Sequence, residues 1–298
     1  MAKKIWAFGR PHTIIGSAIS IVTLYSIICH RSLDTQLPLL FLALAIGICC
    51  NIFIVGINQI ADVSIDRINK PYLPIASGEL SIRHAKQIAY GSLLLSLSLA
   101  LWISPWLFCI ILLSAAIGWA YSMPPFYWKK HHLTAAFAIV FVRGILINIG
   151  GFLVINYEVN GLLYLPEDVK LLSVFIIVFS MVISWFKDLP DIEGDAIYRI
   201  RTLAIVYSPR FVFIAGNLLI ISTFLISIFM LHARLNGAGQ SHRVSVLFYG
   251  NCFLLLLFAV HMLTANLAKH AAIQKFYKRF WGFFFAEYLL YLAAYLCC

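Results

Sequence analysis

Residues 38–61 read PLLFLALAIGICCNIFIVGINQIA, a run without a charged side chain. An α-helix needs about 20 consecutive, mostly apolar residues to cross the hydrocarbon core of a bilayer. The whole chain has a similar character, with 62% hydrophobic and 11% charged residues, whereas soluble domains carry about 25% charged residues. The run therefore predicts a transmembrane helix, and the composition predicts a membrane protein.

Eight further apolar runs are long enough to span a membrane. We therefore predict an all-α polytopic bundle of nine helices that forms one intramembrane domain over residues 1–298. The third and fourth runs are separated by Ser104-Pro105, where we expect a tight turn. The predicted spans are residues 12–30, 38–61, 84–103, 105–121, 133–155, 171–187, 211–232, 246–268 and 279–297.

The distribution of basic residues predicts the orientation. The net charge of +10 first suggests nucleic-acid binding, but the charges lie in short loops between apolar runs, so we expect no nucleic-acid partner. With a cytoplasmic N-terminus, 17 of the 22 lysines and arginines are cytoplasmic, which is the positive-inside pattern. The lack of a Ser/Arg-rich transit extension favours a bacterial inner membrane. The outer residues are Arg31, Lys170, Arg234 and Arg243, and Arg143 lies within a span.

Six of the twelve carboxylates occur in two short segments, NQIADVSID (58–66) and KDLPDIEGD (187–195). Each segment lies at the inner end of a predicted span. On a helix, Asn58, Asp62 and Asp66 form a stripe on one face because they are four residues apart. Carboxylates at this spacing repel each other unless a cation lies between them. We therefore expect both segments to be functional.

The second segment repeats the pattern with Asp188, Asp191 and Asp195. Pro190 suits a first helical turn or a break, and Gly194 permits a close turn. Oxygen ligands favour Mg²⁺, and the lack of His or Cys in both segments argues against zinc. One such segment alone would be interpreted as a solvated loop, but two at span ends disfavour that interpretation. The basic residues expected to complete a diphosphate site are Arg10, Arg67, Lys70, Lys129, Lys130 and Arg201.

At this point the sequence resembles a known family. The pair NQIADVSID and KDLPDIEGD is similar to the two aspartate motifs of the UbiA superfamily of intramembrane prenyltransferases. Three further stretches resemble its homogentisate phytyl- and prenyltransferase subgroup, which acts in tocopherol and plastoquinone synthesis. They are DRINKPYLPIASGE (66–79), YSMPPFYWKKH (121–131) and VRGILINIGGF (142–152).

The resemblance implies an Mg²⁺-dependent enzyme that ionises an allylic prenyl diphosphate in a cavity open to membrane lipid. The implied donor carries a phytyl, geranylgeranyl or longer group, and the implied phenolic acceptor is homogentisate. The metal ligands matched to the motifs are Asn58, Asp62, Asp66, Asp188, Asp191 and Asp195. The predicted catalytic residues are Asp62, Asp66, Asp188, Asp191 and Lys129. The residues predicted to bind substrates are Asn58, Arg10, Arg67, Lys70, Tyr121, Lys130, Arg143, Asn148 and Lys187.

One loop departs from the pattern of the resembling proteins. Phe126-Tyr127-Trp128 precede Lys129, where relatives more often have a basic residue among the three. The sequence therefore leaves open whether Lys129 or Lys130 approaches the diphosphate.

Arg143 lies near the middle of the fifth predicted span, where an unpaired charge costs about 2.5 kcal/mol or more. One interpretation is that it faces the cavity and pairs with the acceptor carboxylate or a motif aspartate. The other is that it is a structural partner of Asn148 or of helix carbonyls. For the intramembrane residues Glu287 and His261 we favour a structural role.

Two alternative functions remain. The first is prenyl transfer to a different aromatic or ring acceptor. The second is a cation-coupled transporter. Transporters place their coupling sites near the bilayer midplane, whereas both acidic segments lie at the inner boundary, which favours the enzyme.

Overall fold

The computed structural model describes residues 2–29, 37–236, 242–267 and 269–297, and its long elements are all helices. This confirms the predicted all-α fold class. Arg31, one of the predicted outer charges, lies outside the described residues. The helices are α1 (Ala2–Phe8), α2 (Pro11–Ile28), α3 (Leu37–Ala61), α4 (Val63–Asn69), α5 (Ile82–Ile103), α6 (Pro105–Ser122), α7 (His132–Val140), α8 (Gly151–Asn160), α9 (Glu167–Phe186), α10 (Ile192–Ile197), α11 (Leu203–Val206), α12 (Pro209–Leu235), α13 (His242–Leu263) and α14 (His270–Leu296), with a 3₁₀ turn at Trp128–Lys130.

Eight helices in the described part of the chain are long and apolar enough to cross a membrane, and they correspond to the first eight predicted spans. The ninth predicted span lies in α14, which begins earlier than predicted and carries Lys275, Lys278, Arg279 and Glu287. The predicted turn at Ser104 is confirmed, because Ser104 is extended and the proline after it begins α6.

The fifth span runs from His132 to Asn160, and its middle, Phe141–Gly150, is a π-helix that joins α7 to α8. π-Helical turns are rare and occur frequently at functional sites. This segment packs closely on α9, since a Cβ on Gly144 would lie 2.7 Å from Cγ1 of Ile177. Arg143 therefore lies in a segment that is both unusual and tightly packed.

The aromatic core fixes α9 in the middle of the bundle. The rings of Phe179 and Phe280 stack with centroids 4.4 Å apart, and Phe186 contacts Phe280 edge-on at 4.8 Å. Phe175 contacts Phe224 of α12 at 5.0 Å. Such pairs contribute about 0.5–1.5 kcal/mol each beyond the burial of their area. The end of α9, after which the second acidic segment begins, is thus held against α12 and α14.

The loops at this end of the bundle are joined by backbone hydrogen bonds. The amide of Arg201 donates to the carbonyl of Lys130 at 2.9 Å, and the amide of His132 donates to the carbonyl of Arg201 at 3.1 Å. The loop before α7 is therefore tied to the segment that follows α10. This connection brings residues 128–131 to the second acidic segment.

Candidate active site

A cavity of about 690 Å³ lies among α1, α2, α4, α14 and the segments that follow α6 and α9. We call it the mouth cavity. It is lined by all six predicted metal ligands and is rich in basic groups, so it brings together most of the residues that the sequence singled out. Its ionic residues are Asp62, Asp66, Asp188, Asp191, Asp195, Arg10, Lys70, Lys129, Lys187 and Lys278, beside Asn58 and Tyr121.

The first acidic segment reaches the cavity from the end of α3 into α4. The amide of Asp62 donates to the carbonyl of Asn58 at 3.0 Å, and that of Asp66 donates to the carbonyl of Asp62 at 2.7 Å. The helical hydrogen-bond pattern thus continues through the junction, and the three side chains stay on one face as predicted. The side-chain amide of Asn58 also donates to Oδ2 of Asp62 at 3.0 Å.

The second acidic segment begins where α9 ends. Residues 187–191 form a turn that contains Pro190, so the proline marks a break rather than a continuing helix. Asp188 and Asp191 lie in this turn and Asp195 lies in α10. All three carboxylate side chains are buried against the mouth cavity.

Four of the five carboxylates lie beside basic groups from other parts of the site. Lys129 contacts Asp62 directly, and Lys70 contacts Asp191 directly. Two further pairs are Lys187 with Asp188, at 2.6 Å, and Arg10 with Asp66, at 3.8 Å. Asp195 forms no ion pair within the described residues.

The backbone at Arg10 also shapes this arrangement. Arg10 lies between α1 and α2 with a φ of 53°, which is uncommon for a residue other than glycine. Its guanidinium lines the mouth cavity beside Asp66. The short connection between the helices therefore places a basic group at the acidic cluster at some conformational cost.

Burial and mutual repulsion raise the pKa values of two of these carboxylates, Asp66 and Asp195. Burial raises the pKa of Asp66 to about 6, with Asp62 adding to the rise and Arg10 opposing it. Burial also raises the pKa of Asp195 to about 7, and the nearby charge of Asp188 adds to that rise. Burial is thus the main cause of both raised pKa values, and the nearby basic groups only partly oppose it.

The donor set fits a hard cation. All candidate ligands are oxygens, the kind that Mg²⁺ prefers in proteins. Oδ2 of Asp66 is buried without a hydrogen-bond partner, and Asp195 is unpaired among the described residues. No three His, Cys, Asp or Glu side chains in the described ranges converge as a ready-made metal group. Instead, most of the carboxylates are turned toward lysine or arginine.

Asn69 links the two acidic segments and was missed in the sequence. Its side-chain amide donates to the carbonyl of Asp191 at 3.1 Å, and its side-chain oxygen accepts from the amide of Gly194 at 3.0 Å. A Cβ on Gly194 would collide with this side chain. The close turn predicted at Gly194 is therefore a place where the amide of Asn69 packs against the backbone.

A second space of about 250 Å³, which we call the deep chamber, continues from the mouth cavity between the spans. The residues that line both spaces are Arg10, His12, Asn58, Tyr121, Lys187, Tyr277 and Trp281. The chamber extends along α2 from Arg10 to Ile21 and is lined by both apolar and hydroxyl-bearing side chains. Its position suits the part of a ligand that extends beyond the mouth cavity.

Arg143 lines the deep chamber. Its guanidinium carbon lies 4.8 Å from the ring centroid of Trp281 and 5.4 Å from that of Phe284. Nη1 is buried without a hydrogen-bond partner among the described residues. Asn148 is engaged elsewhere, because it donates to Ser173 at 2.8 Å and accepts from Tyr288 at 2.7 Å. The described residues thus show no hydrogen bond from Arg143 to Asn148 or to a helix carbonyl.

Three residues predicted to bind substrates do not line either space. Arg67 is exposed, since it follows Asp66 in α4 and points away from the buried face. Lys130 is exposed, whereas its neighbour Lys129 is buried against Asp62. Asn148 is buried in the hydrogen bonds described above. The structure thus places Lys129, not Lys130, at the cavity.

The sequence also missed residues of α14. Gln274, Tyr277, Lys278 and Trp281 line the mouth cavity. The signal was present in the run KFYKRFW, but its charges were assigned to a loop because they precede the predicted span. Of the two other intramembrane polar residues, His261 stacks on Phe276 with centroids 4.5 Å apart, and Glu287 is buried away from both spaces.

Comparison with known proteins finds matches along most of the chain. Residues 19–286 match the UbiA prenyltransferase family. The chain is 37% identical over 295 residues to a homogentisate phytyltransferase of Synechocystis sp., and the match covers 97% of this chain and 94% of that protein. It is 34% identical over 297 residues to homogentisate phytyltransferase 1 of Arabidopsis thaliana, with 96% and 73% covered.

A solved structure has the same fold. The UbiA homologue from Archaeoglobus fulgidus bound to GPP and Mg²⁺ gives a TM-score of 0.66 at 17% identity, with 99% of this chain and 100% of that chain covered. At this low identity the likeness concerns the arrangement of the helices. It does not depend on the side chains described above.

Proposed function

The chain belongs to the UbiA prenyltransferase family, and we propose that it transfers a phytyl or geranylgeranyl group from the diphosphate to homogentisate, with Mg²⁺ as cofactor. The observation that carries this proposal is the mouth cavity, where five buried carboxylates alternate with basic groups and which opens into a chamber with an arginine. Such a pair of spaces suits a donor with an anionic head and an acceptor with a carboxylate.

The two acidic segments would hold Mg²⁺ through Asn58, Asp62 and Asp66 on one side and Asp188, Asp191 and Asp195 on the other. When bound, the metal would neutralise charge on the leaving diphosphate as a Lewis acid. Lys70, Lys129 and Lys187 then contact both the carboxylates and the space for the phosphate oxygens, so they suit an electrostatic clamp. Arg10 adds a fourth positive group at the same wall.

The bond changes are those of an allylic substitution. The bond between C1 of the prenyl group and the diphosphate oxygen breaks, and its electron pair leaves with the diphosphate. A ring carbon of the acceptor forms a bond to C1, and the ring then loses a proton. The chain's part is to keep water from the cationic prenyl group. Trp281 and Phe284, whose rings contact Arg143, line the deep chamber and so help to exclude water from it.

We propose that Arg143 binds the carboxylate of homogentisate. The guanidinium is buried between two aromatic rings and has no acidic partner among the described residues. A planar guanidinium forms paired hydrogen bonds with a carboxylate. The acceptor would thus be oriented in the deep chamber, with its ring toward the mouth cavity. A ring acceptor that lacks a carboxylate would leave this charge unpaired.

For the orientation in the membrane we propose a cytoplasmic N-terminus and cytoplasmic acidic segments, in a bacterial inner membrane. The excess of basic residues at this end of the bundle supports it. At the mouth cavity, Trp6 and Ile15 are exposed and suit contact with lipid. The donor, which is itself a lipid, would then reach the site from the membrane.

The test is a reconstituted reaction. Purified protein in lipid is given homogentisate, Mg²⁺ and geranylgeranyl or phytyl diphosphate, and the prenylated product is identified by mass spectrometry. We expect product formation that stops on chelation of the metal and resumes with added Mg²⁺. Prenylation of a different aromatic acid in preference to homogentisate would overturn the assigned acceptor. Release of no diphosphate with any acceptor would overturn the function.

A further inference from the structure

A small apolar cavity of about 70 Å³ lies beyond the deep chamber, and we call it the apolar extension. On α2 the chamber is lined by residues up to Ile21, and the extension by residues from Ile21 to Ile28. The extension therefore continues along α2 in the direction away from the acidic segments. Its lining is Ile21, Leu24, Tyr25, Ile28, Ala43, Ile46, Gly47, Leu107, Ile110, Ile111, Ile147, Gly151, Phe152 and Ile155.

Three residues line both spaces and form a restriction between them. They are Ile21 of α2, Gly47 of α3 and Ile147 of the π-helical segment. The end of the Ile21 side chain occupies the place that a Cβ on Gly47 would take. The two helices can approach here because residue 47 has no side chain. A single methyl group at this point would narrow the passage.

Several side chains that line the extension are almost fully buried. Phe152 and Tyr25 are each 2% exposed and Ile111 is 2% exposed. No charged side chain lines the extension among the described residues. A cavity with an apolar lining disfavours water and accepts apolar ligands. It is thus unsuited to water or to the polar acceptor, and suited to hydrocarbon.

We propose that the apolar extension receives the terminal isoprene units of the prenyl donor and that Ile21, Gly47 and Ile147 select the donor by length. This inference rests on the proposed function, because it takes the diphosphate to be bound at the acidic segments. From there the deep chamber leads to the restriction past apolar groups such as Ile54 and Ile117. A chain that instead left through the mouth cavity into lipid would not depend on the restriction.

The experiment measures binding, which needs no acceptor and no turnover. Dissociation constants for geranyl and geranylgeranyl thiodiphosphate are determined in wild type and in Gly47→Ala, which narrows the restriction. Gly151→Leu is a second filling variant, because a Cβ on Gly151 has no neighbour closer than 3.9 Å. Ile147→Ala widens the passage. Ile145→Ala is the matched control, from the same segment but 38% exposed.

We expect the filling variants to weaken binding of geranylgeranyl thiodiphosphate at least about tenfold more than binding of geranyl thiodiphosphate, a ratio equal to ~1.4 kcal/mol. The reason is that displacing an isoprene unit exposes several carbon atoms. We expect Ile147→Ala to shift the ratio of the two dissociation constants in favour of the longer ligand. We expect Ile145→Ala to leave that ratio within about twofold of the wild-type value.

The outcomes separate the inference from the function. The inference would be overturned if Gly47→Ala and Gly151→Leu each weakened binding of the two thiodiphosphates equally, or did not weaken it at all. Either result would leave the proposed function intact. Failure of wild type to bind either thiodiphosphate would overturn the proposed function as well. If Gly47→Ala does not fold, the ratio of the two dissociation constants in Gly151→Leu alone tests the inference.

Discussion

Buried aspartates lie near both ends of α9, and their surroundings differ: Asp168 is in the first turn of the helix and Asp188 is in the turn that follows it. At the first end, Asp168 accepts from Arg234 at 2.6 Å and from the hydroxyl of Tyr295 at 2.8 Å. At the other end, Asp188 lies 2.6 Å from the adjacent Lys187 and shares its cavity with four more carboxylates. Both aspartates are buried, but only the second faces a large empty space.

The difference separates a structural ion pair from a ligand site. The partners of Asp168 come from α12 and α14, so this carboxylate joins three helices, and its oxygens are satisfied by the protein itself. At the Asp188 end, buried carboxylates outnumber the ion pairs they form. A buried carboxylate that lacks an ion-pair partner, as Asp195 does among the described residues, is costly. Its presence around a cavity indicates a cationic ligand rather than a role in folding.

The largest expected effect tests this distinction directly. In Asp191→Asn we expect turnover to fall by more than about 10³-fold, because an electrostatic contact to the reacting groups is lost. The side chains are nearly the same size, so the protein should insert and purify normally. The measurement is the rate of diphosphate release per folded protein, with Mg²⁺ at several concentrations.

Asp168→Asn is the matched control, since it alters a buried, ion-paired carboxylate near the opposite end of α9. It should lower the melting temperature, because Arg234 loses its charged partner, while turnover per folded molecule stays within about twofold. The comparison would fail if Asp168→Asn abolished turnover in a stable protein. It would also fail if Asp191→Asn kept near-normal activity.

The next effect concerns Arg143. We expect Arg143→Gln to cost about 2–5 kcal/mol in acceptor use, the loss expected for a buried charged hydrogen bond. Donor use should change much less, because prenyl diphosphates have no carboxylate. The measurement is kcat and KM for homogentisate and for the donor, together with the melting temperature.

Two controls sharpen the Arg143 result. For an acceptor analogue without a carboxylate, kcat and KM should be nearly unchanged by Arg143→Gln. Arg143→Lys keeps the charge but loses the planar pair of donors, and it should recover part of the acceptor affinity. Equal damage to both substrates, together with a lower melting temperature, would instead assign Arg143 a structural role.

A smaller effect is expected at Asn69. Asn69→Ala removes two hydrogen bonds between the acidic segments, each worth about 0.5–1.5 kcal/mol. We expect the Mg²⁺ concentration for half-maximal activity to rise about tenfold, which corresponds to ~1.4 kcal/mol. Direct binding of Mn²⁺ as a probe should weaken in parallel. Asn160→Ala, which lies outside both spaces, should leave metal binding unchanged.

Gly194→Ala should reproduce the Asn69 result, because the added methyl group displaces the same side chain. The Mg²⁺ concentration for half-maximal activity in the double variant should then be little higher than in either single variant, because both substitutions disrupt the same link between Asn69 and the second acidic segment. Additive losses would show that the two residues act separately. In that case the link between the acidic segments is not what positions the metal ligands.

The spans were predictable because their signal is local. In α3, apolar residues alone decide that the helix lies in lipid, and the spacing of Asn58, Asp62 and Asp66 decides that they share a face. The start of α14 was not predictable in the same way. Lys275, Lys278 and Arg279 look like a loop in sequence, but they belong to a helix, and Lys278 borders the mouth cavity.

The site was less predictable where contacts join distant parts of the chain. The alternatives for Arg143 depended on whether Asn148 was free, and Asn148 is held by Ser173 and Tyr288. The role of Asn69 depends on the backbone of the second acidic segment. A single sequence gives no information on such long-range hydrogen bonds, although it did indicate the composition of the site.

The smallest expected effect is that of Lys130→Ala, which is compared with the same change at the adjacent Lys129. Lys130 is exposed and its backbone is paired with that of Arg201, so Lys130→Ala should change stability and activity by less than about 0.5 kcal/mol. Lys129→Ala removes the same formal charge one residue away but leaves the buried carboxylate of Asp62 without its lysine. Because both variants lower the net charge equally, long-range electrostatics are matched, and the difference in kcat/KM reports the local contact. We expect at least a tenfold gap, equal to ~1.4 kcal/mol, measured at one salt concentration and one lipid composition. Equal losses in the two variants would show that Lys130 also reaches the diphosphate, and that the loop before α7 is not held by Arg201 during turnover.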